Sequence, residues 1–510
     1  MLLLLLACSA HGPDDTSQPA STDTGADAAT DSADSADSGD WGDTGDSGVD
    51  TAAAAPTLTI LAPADGQTWF LDTRYDVVVS LTGADAAEAT VTGAEATCEA
   101  LNAGVLHCSV TPHVAETVTV SIAATGPGGT GTASVAATAR AAVGIIPEGE
   151  AFAMGAYEVM DERWFAPIVD GKFNLAQSYG TGGYTQEAWQ DWAAAAGVRT
   201  MTRPGWDWAD PWALSDDATL AALAARPELA WWELPETPVE DDSYADEVAT
   251  VVARIRSFDD RPTQMYFWTS STAEQIATYI PDVQVISPGT YPEHACQPQP
   301  WIRWRITSAR DAVALAGYSE AERPVVGTAD LYAQPETSCP ERIAELAQVR
   351  MNPLAMIAAG AQGVLYFAWW YAANTLDPAW ATSAEATGDL IMGESGLGYA
   401  AIHGEPLGDL PVTVTGGPAL SETFTPAQTT TAVQYASIHA AGWDYAGTRF
   451  VVAVNYTNEA VTAEIGGFPS VTTGVEAVGE ARAPAATDGV IEETFDAWGA
   501  HVYRAPIVVE

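Results

Sequence analysis

The chain has 510 residues and a net charge of -49. That length exceeds one ordinary domain and predicts three folded parts. The acidity excludes nucleic acid and anionic membrane surfaces as partners, because phosphate recognition needs clustered Lys and Arg, and Lys172 is the only lysine.

Cys8 follows Leu5-Leu6-Ala7, which resembles the lipobox of bacterial lipoproteins. Residues 1–8 are therefore expected to be a lipoprotein signal, with Cys8 lipidated and the protein anchored at the outer membrane, on the cell surface or in the periplasm. The run Leu2–Leu6 departs from a secretory signal in having no Lys or Arg ahead of it. Residues 9–55 are Asp, Ser, Thr, Gly and Ala in loose repeats such as D-S-A-D-S-A-D-S-G-D. Such a segment cannot bury enough surface to offset its ordering entropy and is expected to be a disordered tether.

From 56 to 140 the pattern changes to alternation, as in Tyr75-Asp76-Val77-Val78-Val79 and Thr117-Val118-Thr119-Val120-Ser121, broken by Gly, Pro and Asp turns. Short strands at this spacing predict an Ig-like β-sandwich, similar to the modules that bacteria place beside surface enzymes, with a spacer role. Beyond Cys8 the cysteines form an even set. Cys98 and Cys108 flank a hairpin turn, Cys296 and Cys339 sit in two long loops, and a disulfide is expected for each pair. Without C-x-x-C or H-x-x-x-H spacing, neither a metal site nor any cofactor is expected.

Residues 145–408 carry eight apolar β-like runs alternating with helical segments. The runs are Phe152–Glu158, Phe173–Tyr179, Val198–Thr202, the stretch from Leu229, Gln264–Trp268, Val283–Ser287, Val325–Thr328 and Gly363–Trp370. Between them lie T-Q-E-A-W-Q-D-W-A-A-A-A, closing at Gly197, and a helix over 243–257 with Val248, Val251, Val252 and Ile255 at helical spacing. This number and length match a (β/α)8 TIM barrel. A doubly wound sheet would carry a glycine-rich turn after its first strand, and M-G-A-Y-E is not one. From 409 to 510 alternation returns, as in Arg449–Asn455, and predicts a C-terminal β-sandwich.

Barrel enzymes carry their sites at the C-terminal strand ends. Those ends offer Tyr157 and Glu158, then Gln177 and Tyr179, then Arg203, Trp206 and Asp207. The fourth offers Trp232, Glu233 and Glu236, the fifth Trp268, the sixth Tyr291 and Glu293, the seventh Asp330 and Glu336, and the eighth Trp369 and Trp370. Aromatic faces stack on sugar rings and carboxylates supply acid and base, so a polysaccharide or oligosaccharide is the expected substrate of a monomer. The substrate-binding set is Tyr157, Tyr179, Arg203, Trp206, Asp207, Trp232, Glu233, Trp268, Tyr291, Trp369 and Trp370.

The run R-P-E-L-A-W-W-E-L-P-E resembles the fourth-strand segment of glycoside hydrolase-like barrels. V-I-S-P-G-T-Y-P resembles their sixth strand, and N-P-L-A-M-I-A-A-G-A-Q-G-V-L-Y-F-A-W-W their last helix and eighth strand. The resemblance implies hydrolysis of O-glycosyl bonds. Counted from Trp231 it puts the acid/base at Glu236; anchored on Pro235 it puts Leu234 there, beside Glu233. The first register is preferred because alternation would set Trp232, Leu234 and Glu236 on one side. Asp330 or Glu293 is then the expected base or nucleophile, since the strand-seven Glu of retaining members has no counterpart here. A glycan-binding or scaffold protein with a degenerate barrel is the alternative.

Overall fold

The alternating stretches after residue 56 pair as their period requires. In the computed structural model, which describes residues 53–102, 104–178, 184–205, 212–236, 244–293, 295–331, 345–374, 378–427, 429–470 and 474–507, they make two facing sheets. The strands are β1 (Thr57–Ala62), β2 (Gln67–Phe70), β3 (Tyr75–Thr82), β4 (Ala86–Thr92), β5 (Glu95–Asn102), β6 (Val105–Thr111), β7 (Thr117–Gly126) and β8 (Gly129–Arg140). One sheet has the order β1-β3-β6-β5 and the other β2-β8-β7-β4. Val77, Val79 and Val110 of the first meet Val118, Val120 and Val135 of the second in a shared core. The expected disulfide Cys98–Cys108 joins directly opposed residues of β5 and β6. Cys296 is also disulfide-bonded, while Cys339 and Cys8 lie outside the described residues.

Eight parallel strands close the barrel: β9 (Ala153–Ala156), β10 (Leu175–Gln177), β11 (Arg199–Thr202), β12 (Leu229–Glu233), β13 (Thr263–Phe267), β14 (Val285–Thr290), β15 (Val326–Asp330) and β16 (Gly363–Phe367). Among the intervening helices are α1 (Phe165–Asp170), α2 (Gln186–Ala196), α3 (Asp217–Ala224), α4 (Ala245–Arg256), α5 (Ala273–Tyr279), α6 (Trp301–Leu315) and α7 (Leu346–Ala358). Local signals set their ends. Thr185 caps α2 through the Ala188 amide, and Gly197 ends it at φ +73°, a left-handed conformation that glycine adopts without strain. On α4 the four aliphatic residues at helical spacing are all buried.

The eighth strand is shorter than expected. It stops at Phe367, and the W-W-Y-A-A-N run forms α8 (Trp369–Asn374), followed by α9 (Pro378–Met392) and α10 (Leu397–His403). Inside the barrel Leu175, Met201, Trp231, Val285, Val326 and Leu365 form a packed layer, and Ile145 and Ile146, which precede β9, join it from the N-terminal end. Trp231 fastens that floor by donating its indole N–H to the Ile146 carbonyl at 2.9 Å. The interior is therefore a filled core, and an open site is left to the C-terminal end of the strands.

The remaining strands are β17 (Glu405–Asp409), β18 (Val412–Gly416), β19 (Ile438–Tyr445), β20 (Thr448–Asn455), β21 (Val461–Ile465), β22 (Glu476–Ala477), β23 (Ile491–Phe495) and β24 (Ala500–Pro506). They form the sheets β17-β19-β20-β24-β22 and β18-β21-β23, with Val451 and Ala453 packed on Val461, Ala463 and Phe495. Arg350 of α7 ties the barrel to this sandwich through the Ala500 carbonyl at 3.2 Å and Glu480 at 3.0 Å.

The two sandwiches also lock to each other. Asp76 of β3 is buried and accepts from Arg504 at 2.9 Å, from the Thr448 hydroxyl at 2.5 Å and, within its own sheet, from His107 at 2.9 Å. Burial alone would raise the Asp76 carboxyl, but Arg504, His107 and Arg74 outweigh it and hold the group far below the usual carboxylate range. The first sandwich is thus docked through a desolvated ion pair. Removing one partner of such a pair strands the other, so Asp76→Ala is expected to lose about 3–5 kcal/mol in chemical unfolding. Because the folded-state pKa is depressed, this contribution is present above the ordinary Asp range and disappears as pH falls below it; the variant should lose that part of the acid dependence.

Candidate active site

The fourth strand reads L-A-W-W-E, and its parity decides what reaches the mouth. A bulge against β11 lies between Leu229 and Trp231, after which Trp231 and Glu233 face the barrel interior. Trp232 and Leu234 face the helices, where the Trp232 indole donates to Asp259 at 2.9 Å. This corrects the expectation that Trp232, Leu234 and Glu236 share the site side. The strand ends at Glu233, and Pro235 follows, so strict alternation no longer governs Glu236.

Arg203, just past the end of β11, gathers both acids. Its guanidinium lies 3.2 Å from Glu233 Oε2 through Nε, and one terminal nitrogen sits 3.3 Å from Oε1 of Glu233 and 3.3 Å from Oε1 of Glu236. The two carboxyl groups are therefore within two hydrogen-bond lengths of each other. Glu233 is 1% exposed and also accepts from Gln177 Nε2 at 2.8 Å. Burial raises its carboxyl above the ordinary value, and Arg203 and Gln177 offset this only in part.

Glu158 completes the cluster. The chain leaves β9 through Tyr157, whose hydroxyl accepts from Gln264 Nε2 at 3.2 Å, and Glu158 takes a left-handed φ of +58°. The Val159 amide then donates to the Gln177 carbonyl at 2.9 Å. A non-glycine residue at that φ is uncommon and recurs at functional positions. Burial first, and then the charge of Glu236, push the Glu158 carboxyl up to about 7.

Beside these acids runs an aromatic wall. Tyr157 meets Phe367 with ring centres 6.0 Å apart, Phe367 meets Tyr291 at 5.7 Å, and Tyr291 stacks on Tyr266 at 6.0 Å. The glycine of S-P-G-T makes room for it, since a Cβ at Gly289 would lie 2.1 Å from the Tyr266 hydroxyl. On the far side Asp330 ends β15 and points inward on the parity of Val326. It is 4% exposed and hydrogen-bonds Glu293, itself 7% exposed. Burial first, and then the neighbouring Glu293 charge, raise the Asp330 carboxyl well above its ordinary value. Gln299 donates to the other side of Glu293.

Of the residues expected at the site, Tyr157, Arg203, Glu233 and Glu236 come together. Tyr291 belongs to the wall and Trp268 is 43% exposed at the end of β13, while Trp370 is half-buried. Trp369 is a correction: it is buried against Phe173, ring centres 5.7 Å apart, within the core rather than at the mouth. Tyr179, Trp206, Asp207 and Glu336 lie outside the described residues. Among the described residues no group of three or more His, Cys, Asp or Glu side chains could hold a metal ion. Glu158 stands at a strand end in the sequence beside Tyr157, but no local signal announces its positive φ. Gln264 and Tyr266 are read in sequence simply as strand.

No family model matches the chain, and no curated protein matches it. Among solved structures, the chain is similar to a candidate α-galactosidase from Bacteroides fragilis, at 10% identity and a TM-score of 0.45 over 90% of this chain and 100% of that one. An α-amylase from Geobacillus thermoleovorans, in complex with acarbose, shares 10% identity and a TM-score of 0.45 over 68% of this chain and 92% of its own. A family 30 endoxylanase from Clostridium papyrosolvens shares 11% identity and a TM-score of 0.41 over 70% of this chain and 97% of its own.

The mutual influence of Glu158 and Glu236 can be measured. In Glu236→Gln the Glu158 carboxyl should titrate lower than in the parent yet stay above the ordinary glutamate value, since burial is the larger cause. Carboxyl 13C NMR on glutamate-labelled protein reads this, and an unmoved titration would show that the two groups do not face each other.

Proposed function

We propose that this chain is a glycoside hydrolase that cleaves O-glycosyl bonds at the barrel mouth, with Glu158 as proton donor and Glu236 as the facing carboxylate. One observation carries the reading: at the C-terminal end of a closed eight-strand barrel, a carboxyl pushed up to about 7 senses a second carboxyl that is ion-paired with Arg203. A group that titrates near neutrality can both hold and release a proton there, which is what departure of a sugar alkoxide requires. Glu236 then serves as base or nucleophile, according to the carboxyl separation in the sugar-bound state. The exposed Trp268 ring offers a stacking face for a sugar, and Glu233 and Gln177 fix the position of Arg203.

These roles reverse the expectation that Glu236 donates the proton. They also leave Asp330 and Glu293 outside the chemistry, since the Asp330 carboxyl is buried and raised well above its ordinary value by burial and by Glu293. That same burial, at the strand end where retaining relatives carry a nucleophile, favours a second reading: a glycan-binding or scaffold protein with a degenerate site. Export and lipid anchoring at Cys8 are part of the proposal, and the Cys98–Cys108 disulfide is consistent with an oxidising compartment.

Reducing-sugar release from starch, xylan, cellulose, galactomannan and melibiose tests the reading. Glu158→Gln and Glu236→Gln should each lower turnover by about 10²–10⁴-fold. The parent's rate should fall as pH rises through about 7, because Glu158 then loses the proton it must donate. Glycan binding with no turnover in the parent would instead favour the degenerate barrel.

A further inference from the structure

A cavity of about 580 Å³ lies between the barrel and the C-terminal sandwich, and its lining includes none of Glu158, Arg203, Glu233 or Glu236. The barrel side contributes Glu293 and Gln299 from the segment that follows β14, and the sandwich contributes Glu422, Tyr456, Glu459 and Trp498. Gln299 is 2% exposed; its amide nitrogen donates to Glu293, and its Oε1 has no protein partner. Across the cavity the Trp498 indole N–H is likewise buried without a partner. Native folds ordinarily satisfy such atoms, so an unpartnered acceptor and an unpartnered donor on two residues that line one cavity point to something that binds both.

The sandwich side is held ready. Asn455 Nδ2 donates to the carbonyls of Glu459 and Asp496, each at 2.8 Å, its Oδ1 accepts the Thr457 amide at 3.0 Å, and the Trp498 amide donates to the Thr457 carbonyl at 3.0 Å. The ring and the carboxylates that face the cavity thus stand on a braced turn. Among the described residues no Lys or Arg lines the cavity, which disfavours an anionic ligand, and none of their acids form a metal-holding group. A ligand rich in hydroxyls suits the set: it donates to the carboxylates and to Gln299 Oε1, accepts from the Trp498 indole, and fits the volume of a small-molecule pocket.

We propose that this interdomain cavity binds neutral sugar residues, as a second glycan-holding site apart from the barrel mouth. The choice of a glycan rests on the hydrolase reading above, whereas the cavity and its open hydrogen-bonding atoms do not. Binding of maltohexaose, cellohexaose, xylohexaose and mannohexaose, with hexagalacturonate as the anionic control, is measured by titration calorimetry on the full chain carrying Glu158→Gln, which silences turnover. At least one neutral hexasaccharide should bind, and Trp498→Phe, which keeps a ring and removes the donor, should weaken it about tenfold. Glu459→Gln, on an exposed side chain with little bearing on folding, should weaken the same event. Hexagalacturonate should not bind.

Absence of binding by all four neutral sugars overturns the proposal, as does binding indifferent to both substitutions or equal binding of the anionic control. The two readings fail separately. A parent that hydrolyses nothing but binds in a Trp498-dependent way keeps this site and loses the hydrolase. A parent that hydrolyses glycans while neither substitution alters binding keeps the hydrolase and loses this site.

Discussion

The mouth of the barrel depends on the guanidinium of Arg203. Two carboxyl groups, the buried Glu233 at the end of β12 and the partly exposed Glu236 just beyond it, repel each other, and a cation that touches both makes their approach tolerable. Arg203 suits this better than a lysine would, because a planar fork can address two acids from fixed directions. Gln177 adds a neutral donor to Glu233 and carries the backbone carbonyl on which Val159 is fastened. Position at the mouth is thus shared among the ends of β9, β10, β11 and β12, and the Glu158 carboxyl is held where Glu236 can act on it.

On the opposite side the same electrostatic problem has another solution. Asp330 and Glu293 face each other in a buried place, and burial together with the neighbouring charge raises the Asp330 carboxyl well above its ordinary value. One cluster is held together by an arginine, and in the other the two acids act on each other directly. The difference follows from the partner that the fold supplies to each pair rather than from the acids themselves, which are of the same chemical kind. It also gives Glu293 a different neighbourhood from the mouth, because its other contact, Gln299, lines the cavity shared with the last sandwich.

The flanking sandwiches form a frame around the barrel. Arg350 ties α7 to β24, and the Asp76–Arg504 pair ties the first sandwich to the last. Both links use arginines turned onto carbonyls as well as carboxylates, so most of the donors of a desolvated cation find acceptors. A chain with 19 Lys and Arg against 68 Asp and Glu has few cations to place, and several of them stand at the joints between domains and at the barrel mouth.

The sequence by itself determined the repeating architecture. Period-two runs, apolar strands at regular intervals and capped helices such as the one closing at Gly197 are local properties, enforced by backbone geometry and by burial of one face. The acids and rings available to the mouth were legible as well, because strand ends are. What tertiary structure alone decided was which of those side chains faces the opening. A bulge at the start of β12 sets the facing of Trp231 and Glu233 and leaves Trp232 among the helices; a positive φ gives Glu158 a place in the cluster; and β16 ends early, folding Trp369 into the core. The bulge and the positive φ are single-residue departures from ideal periodicity, and a one-residue departure reverses the face of everything that follows it, so no pattern read along the chain could have fixed them.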